Sequence, residues 1–251
     1  MSLSATDIKN IRALEQKRNR SETGLFVVEG LKTVEELVRS NVQVEKVYTT
    51  ETVDFLSEMD ENIVQLISER ELDRISGLRS PNKILAVAKI PLVGAIDVEQ
   101  SLIVALDSVS DPGNLGTIIR TAKWFGVHTI LCSETCADAF DRKVVQSSMG
   151  ALFHTDVHYC SMTEQLTFLR KNGFEILGAG MTGTPLNKMK PSAKTVLVIG
   201  SESHGISPQV RQKCDQMITI QNRESARKVE SLNAGIAASI ILYQLTQSRF
   251  Q

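Results

Sequence analysis

The chain has 251 residues, with 28 Lys and Arg against 29 Asp and Glu, a formal net charge of −1 and a sequence isoelectric point near 6.4. That length holds one large domain or two modest ones with a sufficient core. The even charge balance excludes a protein that grips nucleic acid through a general basic excess, so any RNA contact has to come from local patches.

In chain order, Ile8, Ile11 and Leu14 recur at helical spacing and predict one helix over residues 4–19, with basic side chains on its other face. Residues 24–29 read as a strand, 31–38 as a helix, and 42–48, 62–67 and 83–89 as further strands, the last alternating at Ile84, Ala86 and Ala88. Strands separated by short helices predict a small α/β domain over residues 1–90. Pro91 and Gly94 interrupt a stretch without period, which marks residues 91–100 as a linker. A second domain over residues 101–251 alternates strands at 102–106, 129–132, 155–158, 175–178, 196–199 and 216–220 with helices at 115–125, 142–149, 163–171 and 232–245. This is the pattern of an α/β fold with a mostly parallel sheet covered by helices.

Four cysteines, Cys132, Cys136, Cys160 and Cys214, are too few and too scattered for a disulfide framework, and Cys132 and Cys136 lack a second ligand pair for zinc. The histidines form no ligand spacing either, so no metal is expected. The first residues have neither the basic nor the apolar region of a signal peptide, and no run approaches the roughly 20 apolar residues of a membrane span. A soluble, cytoplasmic protein without membrane contact is expected.

Three stretches stand out as parts of one site. The apolar run 196–199 breaks into Gly200-Ser-Glu-Ser-His-Gly205, which parks the Glu202 carboxylate at the end of a buried strand, where open α/β sheets bind ligands. The run 102–106 ends in a turn-rich loop that opens a helix carrying Asn114 and Arg120. Ser231-Leu-Asn233 leads a small-residue helix whose start offers unpaired N–H groups. Read alone, Arg120 is a helix-surface arginine, Glu202 a charge near a helix start, and Ser231 and Asn233 are caps.

Together, Asn114-Leu-Gly-Thr-Ile-Ile-Arg120, Gly200 to Gly205 and Ser231-Leu-Asn233 resemble, in this order, the three motifs of the SpoU, or TrmH-like, RNA ribose 2′-O-methyltransferases. The resemblance reaches the front of the chain, where Gly24-Leu-Phe-Val-Val-Glu-Gly30 is similar to the start of the substrate-recognition domain many members carry. It implies a ribosomal-protein-L30-like (L30e-like) module ahead of a SPOUT-class catalytic domain whose C-terminal segment is threaded into a trefoil knot. Ordinary connection rules alone predict an unknotted sheet.

The resemblance also implies S-adenosylmethionine as methyl donor, a homodimer, and rRNA or tRNA as partner. Asn114, Arg120, Glu202, Ser231 and Asn233 are the implied catalytic residues. Ala179, Met181, Thr182, Gly200, Ile220, Ser231, Leu232 and Asn233 are the implied donor-binding ones. Arg120 is read either as the base that takes the 2′-hydroxyl proton or, more in keeping with a permanently charged guanidinium, as the group that fixes a phosphate and stabilises the developing alkoxide. Lys17, Arg18, Arg20 and Arg223 are the candidate RNA contacts, drawn from basic patches that also include Lys9, Arg12, Arg227 and Lys228. A further cluster, Arg70, Arg74, Arg79 and Lys83, reads first as a solvated face. Gln221 replaces the proline many members carry before Ser-Leu-Asn, and a few charged residues are inserted after it. That departure keeps open a non-catalytic RNA-binding protein of the same fold, and the acceptor atom, ribose or base, is not encoded in any single residue.

Overall fold

The computed structural model describes residues 2–222 and 231–247, and the chain divides into two compact units, Met1–Leu92 with Asp138–His154, and Val93–Ala137 with Thr155–Gln251. In the first, α1 (Ala5–Ala13) and α2 (Lys17–Thr23) lead into β1 (Leu25–Glu29), α3 (Leu31–Val38), β2 (Val44–Thr49), β3 (Val64–Leu66), α4 (Glu69–Ile75) and β4 (Ile84–Lys89). The strands pair in the order β1-β4-β2-β3, with β4 antiparallel to both neighbours and β2 parallel to β3. Ile11 and Leu14 pack with Leu72, Ile75, Leu85 and Val87 in one core cluster.

The helix expected over residues 4–19 is two helices. Asn19 Nδ2 donates to Ala13 O at 2.8 Å, and Arg20 Nη1 donates to Leu14 O at 2.8 Å and Glu15 O at 2.9 Å. These side chains satisfy carbonyls that a continuous helix would have bonded internally, so the chain turns there. Helix α4 has no counterpart among the predicted elements. Its signal is a capping box: Ser68 Oγ accepts from the Glu71 N–H, and the Glu71 carboxylate accepts from the Ser68 N–H at 2.9 Å.

The rest of the chain runs through β5 (Leu102–Asp107), α5 (Pro112–Trp124), β6 (Thr129–Cys132), α6 (Arg142–Ser148), β7 (Asp156–Tyr159), α7 (Met162–Lys171), β8 (Glu175–Pro185), β9 (Thr195–Gly200), α8 (Pro208–Arg211), β10 (Gln216–Thr219) and α9 (Ala234–Gln247). The second unit is built on a six-stranded sheet in the order β10-β8-β9-β5-β6-β7, every pair parallel. All six residues of β5 are buried, as a central parallel strand requires. Ile103, Ala105, Val196 and Val198 share a core cluster with Leu166 and Leu169 of α7. Strand alternation turns Val104, Leu106, Leu197 and Ile199 to the other face. β5 has β6 on one side and β9 on the other, so the strand order reverses between β5 and β9, where open α/β sheets form a crevice at their carboxyl ends.

Helix α6 departs from expectation in its packing. Instead of covering the six-stranded sheet it lies in the first unit against β1, where Arg142 Nη1 meets Glu29 Oε1 at 2.7 Å and the Phe140 ring sits 4.9 Å from that of Phe26. Among the described residues no helix is long and apolar enough to cross a membrane.

Candidate active site

Asn114, Glu202 and Asn233 meet beyond the carboxyl ends of β5 and β9, and each is placed for a local reason. Asp111 caps α5 by accepting the Asn114 N–H at 2.8 Å, and Pro112 occupies the first turn, where no N–H is needed. After β9, Ser201 and Gly205 exchange backbone hydrogen bonds of 3.1 and 2.8 Å that close a tight turn. A Cβ on Gly200 would overlap the backbone of Gly205 and Ile206, and Gly205 has φ +66°, so both ends of the turn favour glycine. Glu202 rides on that turn. Asn233 caps α9, its Oδ1 accepting from Gly235 N–H at 3.0 Å and Ile236 N–H at 3.2 Å.

The three side chains form one hydrogen-bonded cluster. Glu202 Oε1 accepts from Asn114 Nδ2 at 2.6 Å, Asn233 Nδ2 at 2.9 Å and the Ala234 N–H at 3.2 Å. Asn233 Nδ2 also reaches Asn114 Oδ1 at 2.8 Å. The carboxylate therefore sits at the N-terminus of α9, where its charge is favoured, and it is held by neutral donors. Among the described residues no cation pairs with it. It orients both asparagines at once. Among the described residues no group of three or more His, Cys, Asp and Glu side chains is placed to hold a metal ion.

Arg120 lies two turns along α5 and is not part of this cluster. Six residues is not a whole number of helical turns, so it leaves the helix on another face from Asn114. It is exposed, and among the described residues no hydrogen bond or ion pair engages it. Ser231 is exposed and does not cap α9, because Asn233 does so.

The residues expected to hold the donor gather at the same end of the sheet. β8 and β10 are in register at Gly178 and Met217, then resume at Thr184 and Ile218, so residues 179–183 bulge out between them. Thr219 Oγ1 donates to Met181 O at 3.2 Å across the bulge. A Cβ on Gly178 would meet Met217 Sδ at 2.6 Å and Cys214 Sγ at 2.9 Å. Gly183, with φ +151°, would overlap the Met217 carbonyl. Ala179, Met181 and Thr182 thus stand in a bulge of close-packed backbone, with Gly200 closing β9 and Ile220 following β10. Met181 is 64% exposed and Leu232 43% exposed. Exposed apolar side chains beside bare backbone suit the face and polar edge of a nucleoside.

Of the expected RNA contacts, Lys17 and Arg18 are exposed, with Arg18 Nε 2.7 Å from Glu22 Oε1 one turn away. Arg20 is corrected: it is 3% exposed, its Nη2 is 2.6 Å from Asp138 Oδ2, and its Nη1 is bound to the carbonyls of Leu14 and Glu15. A guanidinium so enclosed is a structural tie and offers nothing to a phosphate. Arg223, Arg227 and Lys228 lie outside the described residues. The sequence reading missed Asp111, although an aspartate directly before a proline that opens a helix is a helix-start signal.

Residues 101–243 match the SpoU rRNA Methylase family, and residues 5–86 match an MRM3-like substrate binding domain. The chain is similar to the 23S rRNA (guanosine(2553)-2′-O)-methyltransferase RlmP of Bacillus subtilis, 29% identical over 240 residues that cover 95% of each chain. Among solved structures it is similar to a candidate RNA methyltransferase of the TrmH family from Porphyromonas gingivalis, 34% identical with TM-score 0.87 over 97% of this chain and 98% of that one. It is also similar to the SpoU methyltransferase AviRb of Streptomyces viridochromogenes in complex with AdoMet, 26% identical with TM-score 0.85 over 99% of each. The chain belongs to the SpoU rRNA methylase family and is an S-adenosylmethionine-dependent RNA methyltransferase.

Proposed function

We propose that the protein methylates a ribose 2′-hydroxyl of a structured RNA, with ribosomal RNA as the first substrate to test. The observation that carries this reading is the meeting of Asn114, Glu202 and Asn233 at one point, because it draws all three motifs to the crevice between β5 and β9. The named activity of the Bacillus subtilis relative supports the ribose acceptor.

S-Adenosylmethionine supplies the electrophilic methyl group. Ala179, Met181, Thr182, Gly200, Ile220, Ser231, Leu232 and Asn233 would hold it at the carboxyl ends of β8, β9 and β10. Arg120 binds an RNA phosphate and stabilises the negative charge that grows on the 2′-oxygen. A guanidinium stays charged in proteins, so the proton leaves to the phosphate or to water and not to Arg120. Glu202 fixes Asn114 and Asn233, whose amides orient the sugar and the donor.

The C-terminal segment is threaded into a trefoil knot in this reading. The bond from the first N–H of α9 to the turn after β9, with β10 beside β8, is compatible with such a path. The protein acts as a homodimer through α5 and α9. These helices pack on each other, with Thr121 Oγ1 and Ser239 Oγ 3.2 Å apart, and leave Trp124 84%, Ile236 53% and Tyr243 53% exposed. So much apolar surface on one helix pair calls for a partner. The first unit is an L30e-like module that recognises RNA, with Lys17 and Arg18 at its surface. The non-catalytic alternative rested on the atypical loop before Ser231, most of which lies outside the described residues, and no described residue favours it.

Incubation with methyl-labelled donor and ribosomal RNA, followed by digestion to nucleosides, tests the reading. Label in a 2′-O-methylnucleoside is expected. Label in a base-methylated nucleoside would overturn the acceptor, and no label in rRNA or tRNA would overturn the activity.

A further inference from the structure

Asp107 is the last residue of β5 and only 4% exposed, and the chemistry above does not use it. Burying a carboxylate is costly unless strong donors compensate it, and a neutral side chain would suit this central strand better. Its Oδ2 accepts the Ser207 N–H at 2.7 Å, and Ser108 Oγ lies 3.4 Å from Oδ1. Ser207 ends the loop whose turn carries Glu202. The other foot of that loop is Gly200, the ladder partner of Asp107 on β9. Asp107 thus touches one foot through the sheet and the other through its carboxylate.

The next residue strengthens the link. Ser108 has φ +61°, a left-handed conformation uncommon outside glycine. Its N–H donates to Ser133 Oγ at 2.9 Å, and its Oγ lies 2.8 Å from Thr135 Oγ1. Backbone strain held by such bonds marks positions where direction matters. Here the chain is redirected towards Asp111, the cap that fixes Asn114. Asp107 is thus bonded to the loop that carries Glu202, and Ser108 opens the segment that leads to Asp111.

We propose that Asp107 is a positioning residue: its buried carboxylate pins the loop of residues 201–207 so that Glu202 reaches Asn114 and Asn233. The proposal rests on the reading of this cluster as the methyl-transfer site. Displacement of such a group by about 1 Å is enough to lower turnover by roughly 100-fold. D107A should therefore lower kcat by that order with little change in KM for RNA. D107N keeps an oxygen that accepts from Ser207 N–H and should restore most of the rate.

Because Asp107 acts through Glu202, D107A placed in an E202Q background should add little to the loss from E202Q alone. Losses that multiply in the double variant, or wild-type turnover in D107A, would overturn the proposal. Hydrogen exchange reads the anchor independently of activity. The Ser207 amide should lose protection in D107A and keep it in D107N, and equal protection in both would overturn the proposal even if the wild-type protein methylated nothing. Absence of methyl transfer by the wild-type protein would instead count against the proposed function.

Discussion

The buried arginines of the first unit and the site residues of the second treat charge in opposite ways. In the first, Arg20 and Arg142 are sunk among carboxylates and carbonyls: Arg20 lies between Asp138 and the end of α1, and Arg142 between Glu29 and the Ile75 carbonyl. In the second, Glu202 meets only amide donors, and Arg120 meets no partner among the described residues. A charge matched inside the protein is committed to the fold. A charge left unmatched at the surface is available to a substrate, and Arg120 is the clearest case.

The largest effect expected from this contrast is on stability. Arg20→Ala removes the partner of Asp138 and strands the Leu14 and Glu15 carbonyls just past α1, and breaking a buried pair from one side costs about 3–5 kcal/mol. Urea unfolding should show that loss. A change near zero would mean that Arg20 is as dispensable as an exposed arginine, and the contrast would fail. A smaller effect is expected from Asn233→Ala, which removes the α9 cap and one Glu202 donor together. Loss of such a cap costs about 1 kcal/mol, while donor binding measured by calorimetry should weaken. Full stability with unchanged donor affinity would show that Asn233 serves neither role.

The contrast also explains what was legible in the sequence. Asn114, Glu202 and Asn233 each follow a strand or open a helix, and local signals of glycine, proline and capping place such residues without knowledge of distant contacts. The alternation of strands and helices likewise gives the parallel sheet. Arg20 is not legible in this way. Next to Lys17 and Arg18 it reads as one more member of a solvated face, and its burial depends on Asp138, 118 positions away. Helix α6 carries a clear helical signal but no indication of which sheet it packs on, since that is decided by Phe26 and Glu29 across the chain. Asp107 reads as the polar end of an apolar run, and only its bond to the Ser207 N–H reveals what it holds. Residues whose role depends on a nearby turn can be read in advance, whereas those that depend on distant partners cannot.

The most direct test is methyl transfer by Arg120→Ala, measured beside calorimetric binding of S-adenosylmethionine to the same variant. Arg120 lies outside the hydrogen-bonded cluster, and in the proposed reaction it stabilises charge on the acceptor, so donor binding should be retained while turnover falls roughly 100- to 1,000-fold, the loss typical of removing one such donor. Turnover equal to wild type would show that the exposed guanidinium has no part in the reaction and would contradict its proposed role in stabilising the developing charge.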